Sequence, residues 1–184
     1  MIGREEALQL LQEKIQNINT QRHMLATEAI MQALAKKLDQ DQETWGLCGL
    51  LHDIDLEQVG GDMQKHAAVA AEWLQEKLPE EAVQAIRAHN GENLGIERET
   101  ELEHALAAAE TLTGLVVAAT LVLPSKKLTD LKVKSVTKRM KEPRFAASVC
   151  RDTIRECEKI NMELSEFVEL GIGAMRNIST ELGL

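Results

Sequence analysis

Apolar residues recur at steps of three and four along almost the whole 184-residue chain, the period of helices with one buried face. Leu8, Leu11, Ile15 and Ile18 form a first stripe. After "NINT", a second helix carries His23, Ala26, Ile30 and Leu34 on one face. A third, from about Thr44, has Leu47, Leu50, Leu51 and Ile54, then dissolves into "DLEQVGGD", where paired glycines mark a loop. "MQKHAAVAAEWLQEKL" and "PEEAVQAIRAHN" predict a fourth and a fifth helix, the latter with Pro79 in its first turn. "GENLGIERE" reads as a polar loop, and "ETELEHALAAAETLTGLVVAATLVL" as a long central helix ended by Pro124. Leu128, Leu131, Val133 and Val136 keep some apolar spacing, and "FAASVCRDTIRECEKI" and "ELSEFVELGIGAMRNISTEL" predict two more helices. The expectation is an all-α fold, a single-domain helical bundle of about eight or nine helices. Its core covers residues 20–123 and a helical extension residues 124–184. No repeat or low-complexity tract divides it.

Composition supports that reading and narrows the partners. Hydrophobic residues make up 44% but aromatic ones only 2%, with no Tyr, so the core must be built from Leu, Ala, Ile, Val and Met. With three prolines and few β-branched runs, this favours helices. A net charge of −9 argues against a nucleic-acid polymer as partner, whose phosphates need a broad cationic surface. A small anion is compatible, because a local basic patch or a metal overrides the global field. One such patch follows Pro124: Lys126, Lys127, Lys132, Lys134, Lys138, Lys141, Arg139 and Arg144 interrupt an otherwise acidic chain. Cys48, Cys150 and Cys157 form no C-x-x-C pair, which favours a reducing compartment. The early charges of "MIGREEALQLLQEKIQ" do not read as a signal peptide, and the apolar run "GLVVAATLVLP" is too short to span a bilayer. A soluble, cytoplasmic protein is expected, with no membrane partner and with homo-oligomerisation open.

The chemistry is concentrated in "LLHDIDLE", where His52 and Asp53 adjoin at the end of an apolar run. His23 lies on the apolar face of the second helix, His66 opens the fourth and His89 ends the fifth. Single histidines on helices are commonly surface or hydrogen-bonded core residues. Four at helix ends or on buried faces can instead be converged by a bundle on one point. Imidazoles and carboxylates suit zinc, manganese, iron or cobalt, and coordination offsets the desolvation of buried polar groups. Glu110, inside "AAAETLTG", is the carboxylate placed to join them; its plainer reading is a solvent-facing glutamate. Asp55 and Glu57 read as surface acids of a loop, the alternative being that they orient a ligand histidine.

This order of residues resembles the HD superfamily of metal-dependent phosphohydrolases: His23, then His52-Asp53, then Glu110 where the family has a late Asp. The likeness spans roughly Thr20 to Leu123. "HAAVAAEWL" from His66 and "IRAHNGE" around His89 are similar to the following helices of the HDIG and HD-GYP branches, where these histidines hold a second metal. "LVLPSKKLTDLKVKSVTKRMKEPRFAASV" is similar to an uncharacterised bacterial HD subgroup. Departures are equally plain. The late ligand is Glu, one methylene longer than Asp. "HDIDLE" lacks the Gly-Lys of "HDIGK". Neither "HHE" nor "GYP" occurs, which argues against cyclic di-GMP. Glu57 lies four residues after Asp53, whereas the nucleotidase branch has its catalytic Glu three after.

The resemblance implies a phosphohydrolase using one or two divalent ions (Mn, Fe, Co, Zn or Mg), with His52 and Asp53 as the catalytic metal clamp. His23, Glu110, His66 and His89 are its further ligands. The substrate expected is a small phosphate ester, a nucleotide first, with Lys127, Lys134 and Arg144 as candidate phosphate contacts from the basic segment. The rival is a non-catalytic sensor that keeps a weakened metal site and binds a nucleotide or partner protein.

Overall fold

Side-chain caps set where two of the site-bearing helices, those carrying His23 and leading to His52, begin. In the computed structural model, which describes residues 1–184, helix α1 (Arg4–Lys14) ends as Ile15 turns extended. Asn17 then starts α2 (Ile18–Lys37), its side-chain oxygen accepting the amides of Asn19 and Thr20 at 2.9 and 3.4 Å. Those amides have no carbonyl four residues back, so a polar cap satisfies them. Asp41 caps α3 (Gln42–Leu51) in the same way, accepting from Thr44 N at 2.7 Å. After the single turn α4 (Leu56–Val59) come α5 (Ala68–Leu74), α6 (Glu80–His89) and another single turn, α7 (Gly91–Leu94). Thr100 and Glu103 form a reciprocal capping box at the start of α8 (Glu101–Leu121). A 3₁₀ turn (Leu128–Asp130), α9 (Val133–Arg139), α10 (Arg151–Ile154), a second 3₁₀ segment (Arg155–Ile160), α11 (Leu164–Asn177) and α12 (Ser179–Leu182) complete the chain.

All regular structure is therefore helical: eight helices of seven residues or more and four single turns. The boundaries differ from the apolar pattern in several places: "DLEQVGGD" contains the turn α4, "RECEKI" is 3₁₀, and the last predicted helix breaks at Ile178 into α11 and α12. Ile18 does not complete the stripe of α1; it starts α2 and is 55% exposed, because Asn17 caps between them. His66 does not open a helix. It sits in a run of turns before α5, since Ala67 takes a left-handed φ of +69°. "GENLGIERE" contains the turn α7, ended by Gly95 at φ +68°. "FAASV" forms turns rather than the first half of a helix, with Ala146 at φ +44°.

Helix α8 is the centre of the bundle, packed against α2, α6, α9, α10, α11 and the second 3₁₀ segment. Ala105, Ala107, Ala108 and Ala109 are all buried, and such small side chains let neighbouring helices approach closely. Leu106, Leu112, Leu115 and Val116 fill the space between them, each contributing roughly 1.5–3 kcal/mol by leaving water. By length and composition α8 is apolar enough to cross a membrane, more so than its longest uninterrupted apolar run; in this fold most of that surface is buried against protein. Leu128, Leu131, Val136, Ile154, Phe167 and Ile172 from the C-terminal third join the same continuous core.

One contact decides how close the site helices come. Helices α2 and α3 pack over a long interface, and at Gly49 an added Cβ would lie 2.9 Å from backbone atoms of Thr27 and Glu28. Only a residue without a side chain permits that approach, which brings His23 of α2 to the end of α3.

Candidate metal centre

Four imidazoles and one carboxylate converge where α2, α3, α6 and the turns before α5 meet. His52 follows α3 as its C-cap, Asp53 comes next, and His89 is the last residue of α6. His52, Asp53, His66 and His89 are buried, and His23 is half-buried. His23 Nε2 and His52 Nε2 lie 3.1 Å apart, at 3.5 and 3.4 Å from Asp53 Oδ2. His66 Nε2 and His89 Nε2 also lie 3.1 Å apart, at 3.2 and 3.4 Å from Asp53 Oδ1. The carboxylate of Asp53 thus joins two groups of three donor atoms, one oxygen to each: His23–His52–Asp53 and Asp53–His66–His89.

The outer nitrogens decide what the inner ones can do. His52 Nδ1 lies 2.8 Å from the Gly49 carbonyl, and His89 Nδ1 contacts the Ile86 carbonyl. A carbonyl only accepts, so each Nδ1 carries the proton. His66 Nδ1 donates to Asp55 Oδ1 at 2.8 Å. Thr113 Oγ1 donates to the Glu110 carbonyl at 2.7 Å, which leaves it to accept from His23 Nδ1, also at 2.7 Å. All four rings therefore present a bare Nε2 lone pair inward whenever they are neutral. Four lone pairs and a carboxylate facing one another without a donor repel, and only a cation or added protons relieve that.

The electrostatics agree. Burial opposes the Asp53 charge, but His52, with His66 and His89 when their Nε2 is protonated, holds its carboxyl well below the usual range. Burial likewise opposes the charge on His66, yet Asp53 and Asp55 raise it to about 9. Burial, with repulsion from His52, lowers His23 to about 4. Without metal the cluster draws protons onto some of its histidines. The donor set, soft enough for zinc and anionic enough for manganese or iron, fits divalent ions.

Around the cluster, Asp55 is fully buried rather than a surface acid of a loop. Besides His66, it accepts the Ala67 and Ala70 amides on Oδ2 at 2.8 and 2.9 Å. It therefore holds both the His66 ring and the left-handed turn that presents it. Glu57 instead latches the α1–α2 turn, accepting the amides of Gln16 and Asn17 at 2.9 and 2.7 Å. Glu110 is half-buried on α8 in neither donor group; its carboxylate accepts from Thr111, and burial raises it to about 7. His104, the fifth histidine, bonds Glu156 at 2.8 Å, where Arg98 also pairs, and so ties α8 to the second 3₁₀ segment.

A cleft of about 340 Å³ opens over the cluster, lined by His23, His89, Glu92, Glu110, Cys150 and Thr153, among others. Lys127, Lys134 and Arg144 are solvent-exposed, and none lines it. Two residues that matter here carried weak sequence signals. Thr113 stands one helical turn after Glu110, and Arg22 directly precedes His23.

A helical bundle with His, His-Asp and two more histidines gathered on one carboxylate defines a domain of the HD type. The comparison with known families agrees: residues 20–121 match the HD domain, more than half of the chain, and the protein belongs to that family. No curated protein and no solved structure matches it.

Proposed function

We propose that the protein is a divalent-metal-dependent phosphohydrolase acting on a small phosphate ester. The observation that carries this reading is the set of four inward Nε2 atoms sharing one carboxylate, which suits a pair of ions about a common bridge. His23 and His52 would hold one ion and His66 and His89 the other, with Asp53 common to both. Glu110 occupies the position of the family's late carboxylate and is proposed to complete the first group. Bound there, divalent ions supply Lewis acidity and lower the pKa of coordinated water towards about 7.

The protein's own residues position and shield the reaction. Gly49, Ile86, Asp55 and Thr113 lock the four rings, so no ligand must reorganise as substrate arrives. The cleft admits a phosphate over His23 and His89. Water adds to phosphorus, the bond from phosphorus to the ester oxygen breaks, and that oxygen leaves protonated as an alcohol beside inorganic phosphate. The test is elemental analysis of the purified protein, followed by a phosphatase screen over nucleotides and simple esters with Mn²⁺, Co²⁺, Fe²⁺ and Mg²⁺. Bound metal with turnover is the expected result. Bound metal with no turnover on any ester would favour the sensor reading, in which Glu110, outside both donor groups, marks a weakened site.

A further inference from the structure

His23 and Gly114 border two cavities. One is the cleft over the donor cluster; the other is a groove of about 460 Å³ walled by Arg22, Ala26, Val117, Ala118, Leu121 and Leu182. Thr113, the hydrogen-bond partner of His23, also faces the groove. The two spaces share His23 and Gly114 on their walls, and Val149 packs against Gly114 from the cleft side.

The groove's chemistry is one-sided. Half of its lining residues are aliphatic, the polar side chains being Asn19, Arg22, His23 and Thr113, and Leu121 leaves half its surface exposed at the edge. No Phe or Trp ring lines it to stack on a nucleobase, and no Asp or Glu does either. The charged side chain is Arg22. Arg4, Arg98, Arg139 and Arg155 each meet a carboxylate, and Arg151 and Arg176 bond backbone carbonyls, whereas Arg22, Arg87 and Arg144 make no such contact; of these three, Arg22 lines the groove. The Nε of Arg22, like that of Arg151, is buried with no partner. A buried donor left without an acceptor is unfavourable, and a guanidinium is the group best suited to a phosphate oxygen.

Building on the reading of the donor cluster as a phosphate-hydrolysing metal centre, we infer that this groove holds the organic part of the substrate, that this part is aliphatic rather than a nucleobase, and that Arg22 binds an anionic oxygen of the same ligand. The alcohol released is then an apolar one. Arg22 lines the groove and not the cleft, so this places the anion contact on the groove side of His23, on α2, and not in the lysine-rich segment after Pro124.

The test uses the full chain loaded with Mn²⁺ and phosphonates, whose carbon–phosphorus bond resists hydrolysis, so binding is read apart from turnover. Calorimetry compares methylphosphonate, hexylphosphonate and the phosphonate analogue of adenosine monophosphate. Hexylphosphonate should bind at least about tenfold tighter than methylphosphonate, as each buried methylene adds up to about fourfold. Arg22→Ala should weaken both alkyl ligands about tenfold or more. Leu121→Asp should weaken hexylphosphonate alone, and circular dichroism should show both variants folded. Equal affinity for the two alkyl ligands, tighter binding of the nucleoside analogue, or indifference to Arg22→Ala overturns the inference while leaving the metal centre standing. Failure of even methylphosphonate to bind the metal-loaded protein removes the phosphate-centre reading, and the groove's role with it.

Discussion

Changing Asp55 to Asn alters a single atom and bears on one ion of two. In the native protein Oδ1 accepts from His66 Nδ1 at 2.8 Å, and Oδ2 accepts from Ala67 N and Ala70 N at 2.8 and 2.9 Å. An asparagine has one acceptor and one donor end. Two buried backbone donors outweigh one ring nitrogen, so the amide oxygen should face Ala67 and Ala70. The NH₂ group then meets His66 Nδ1, which must become the acceptor, and the ring proton moves to Nε2, where it blocks coordination. Loss of such an orienting partner costs typically 10–100-fold in metal affinity, and a blocked lone pair belongs at or beyond the upper end. Folding should suffer little more than about 1–3 kcal/mol, because the two backbone bonds survive. That corresponds to a fall in Tm of roughly 2–12 °C for a chain of this size. Asp55→Ala is the harsher control: it strands both amides and releases Ala67, whose φ of +69° is held by this contact. Calorimetric titration with Mn²⁺ should resolve two sites in the native protein, and in Asp55→Asn one retained and one weakened at least tenfold. Two sites of native affinity in a folded Asp55→Asn protein would refute the tautomer argument.

Four further outcomes can be checked. Asp53→Ala removes the carboxylate common to both donor groups, so elemental analysis should find the bound metal largely gone and hydrolysis lost, while circular dichroism still reports helices; unchanged stoichiometry would count against the assignment. Glu110→Asp should retain or raise turnover and Glu110→Ala should lose it, and robust activity in the alanine variant would rule out a ligand role. With metal stripped, stability should fall as pH rises from about 6.5 through about 9, because folded His66 keeps its proton up to about 9 while the unfolded chain releases it near 6.5; Mn²⁺ should flatten that limb in thermal melts by holding the ring neutral. Gly49→Ala should lower stability by about 1–3 kcal/mol, since its Cβ meets backbone at 2.9 Å, and should weaken metal binding by parting α2 from α3; a native Tm would contradict the close-packing account.

Much of this protein was legible along the chain because it depends on spacing. Apolar steps of three and four predicted α2, α3, α6 and α8 close to where they lie, and Pro124 marks the end of the central helix to within a few residues. "LLHDID" stood out because charge inside an apolar run is unfavourable unless something compensates it. Other features were set by positions far apart in sequence. Asp55 could not be told from a loop acid, because its value lies in meeting the His66 ring and two amides 12 and 15 residues on. His66 looked like a helical residue until the left-handed Ala67 turned it out of α5. Arg22 gave only the weak signal of preceding His23, since being unpaired is a property of its surroundings and not of its neighbours in the chain. Periodicity and residue type are local, so the sequence by itself determined the helices and the donor atoms. For His52 and His89 the inward lone pair is set locally, by carbonyls three residues back. For His23 and His66 it is set by Thr113 and Asp55 from other segments, and those contacts, like the gathering of the four rings about Asp53, exist only once the helices have packed together.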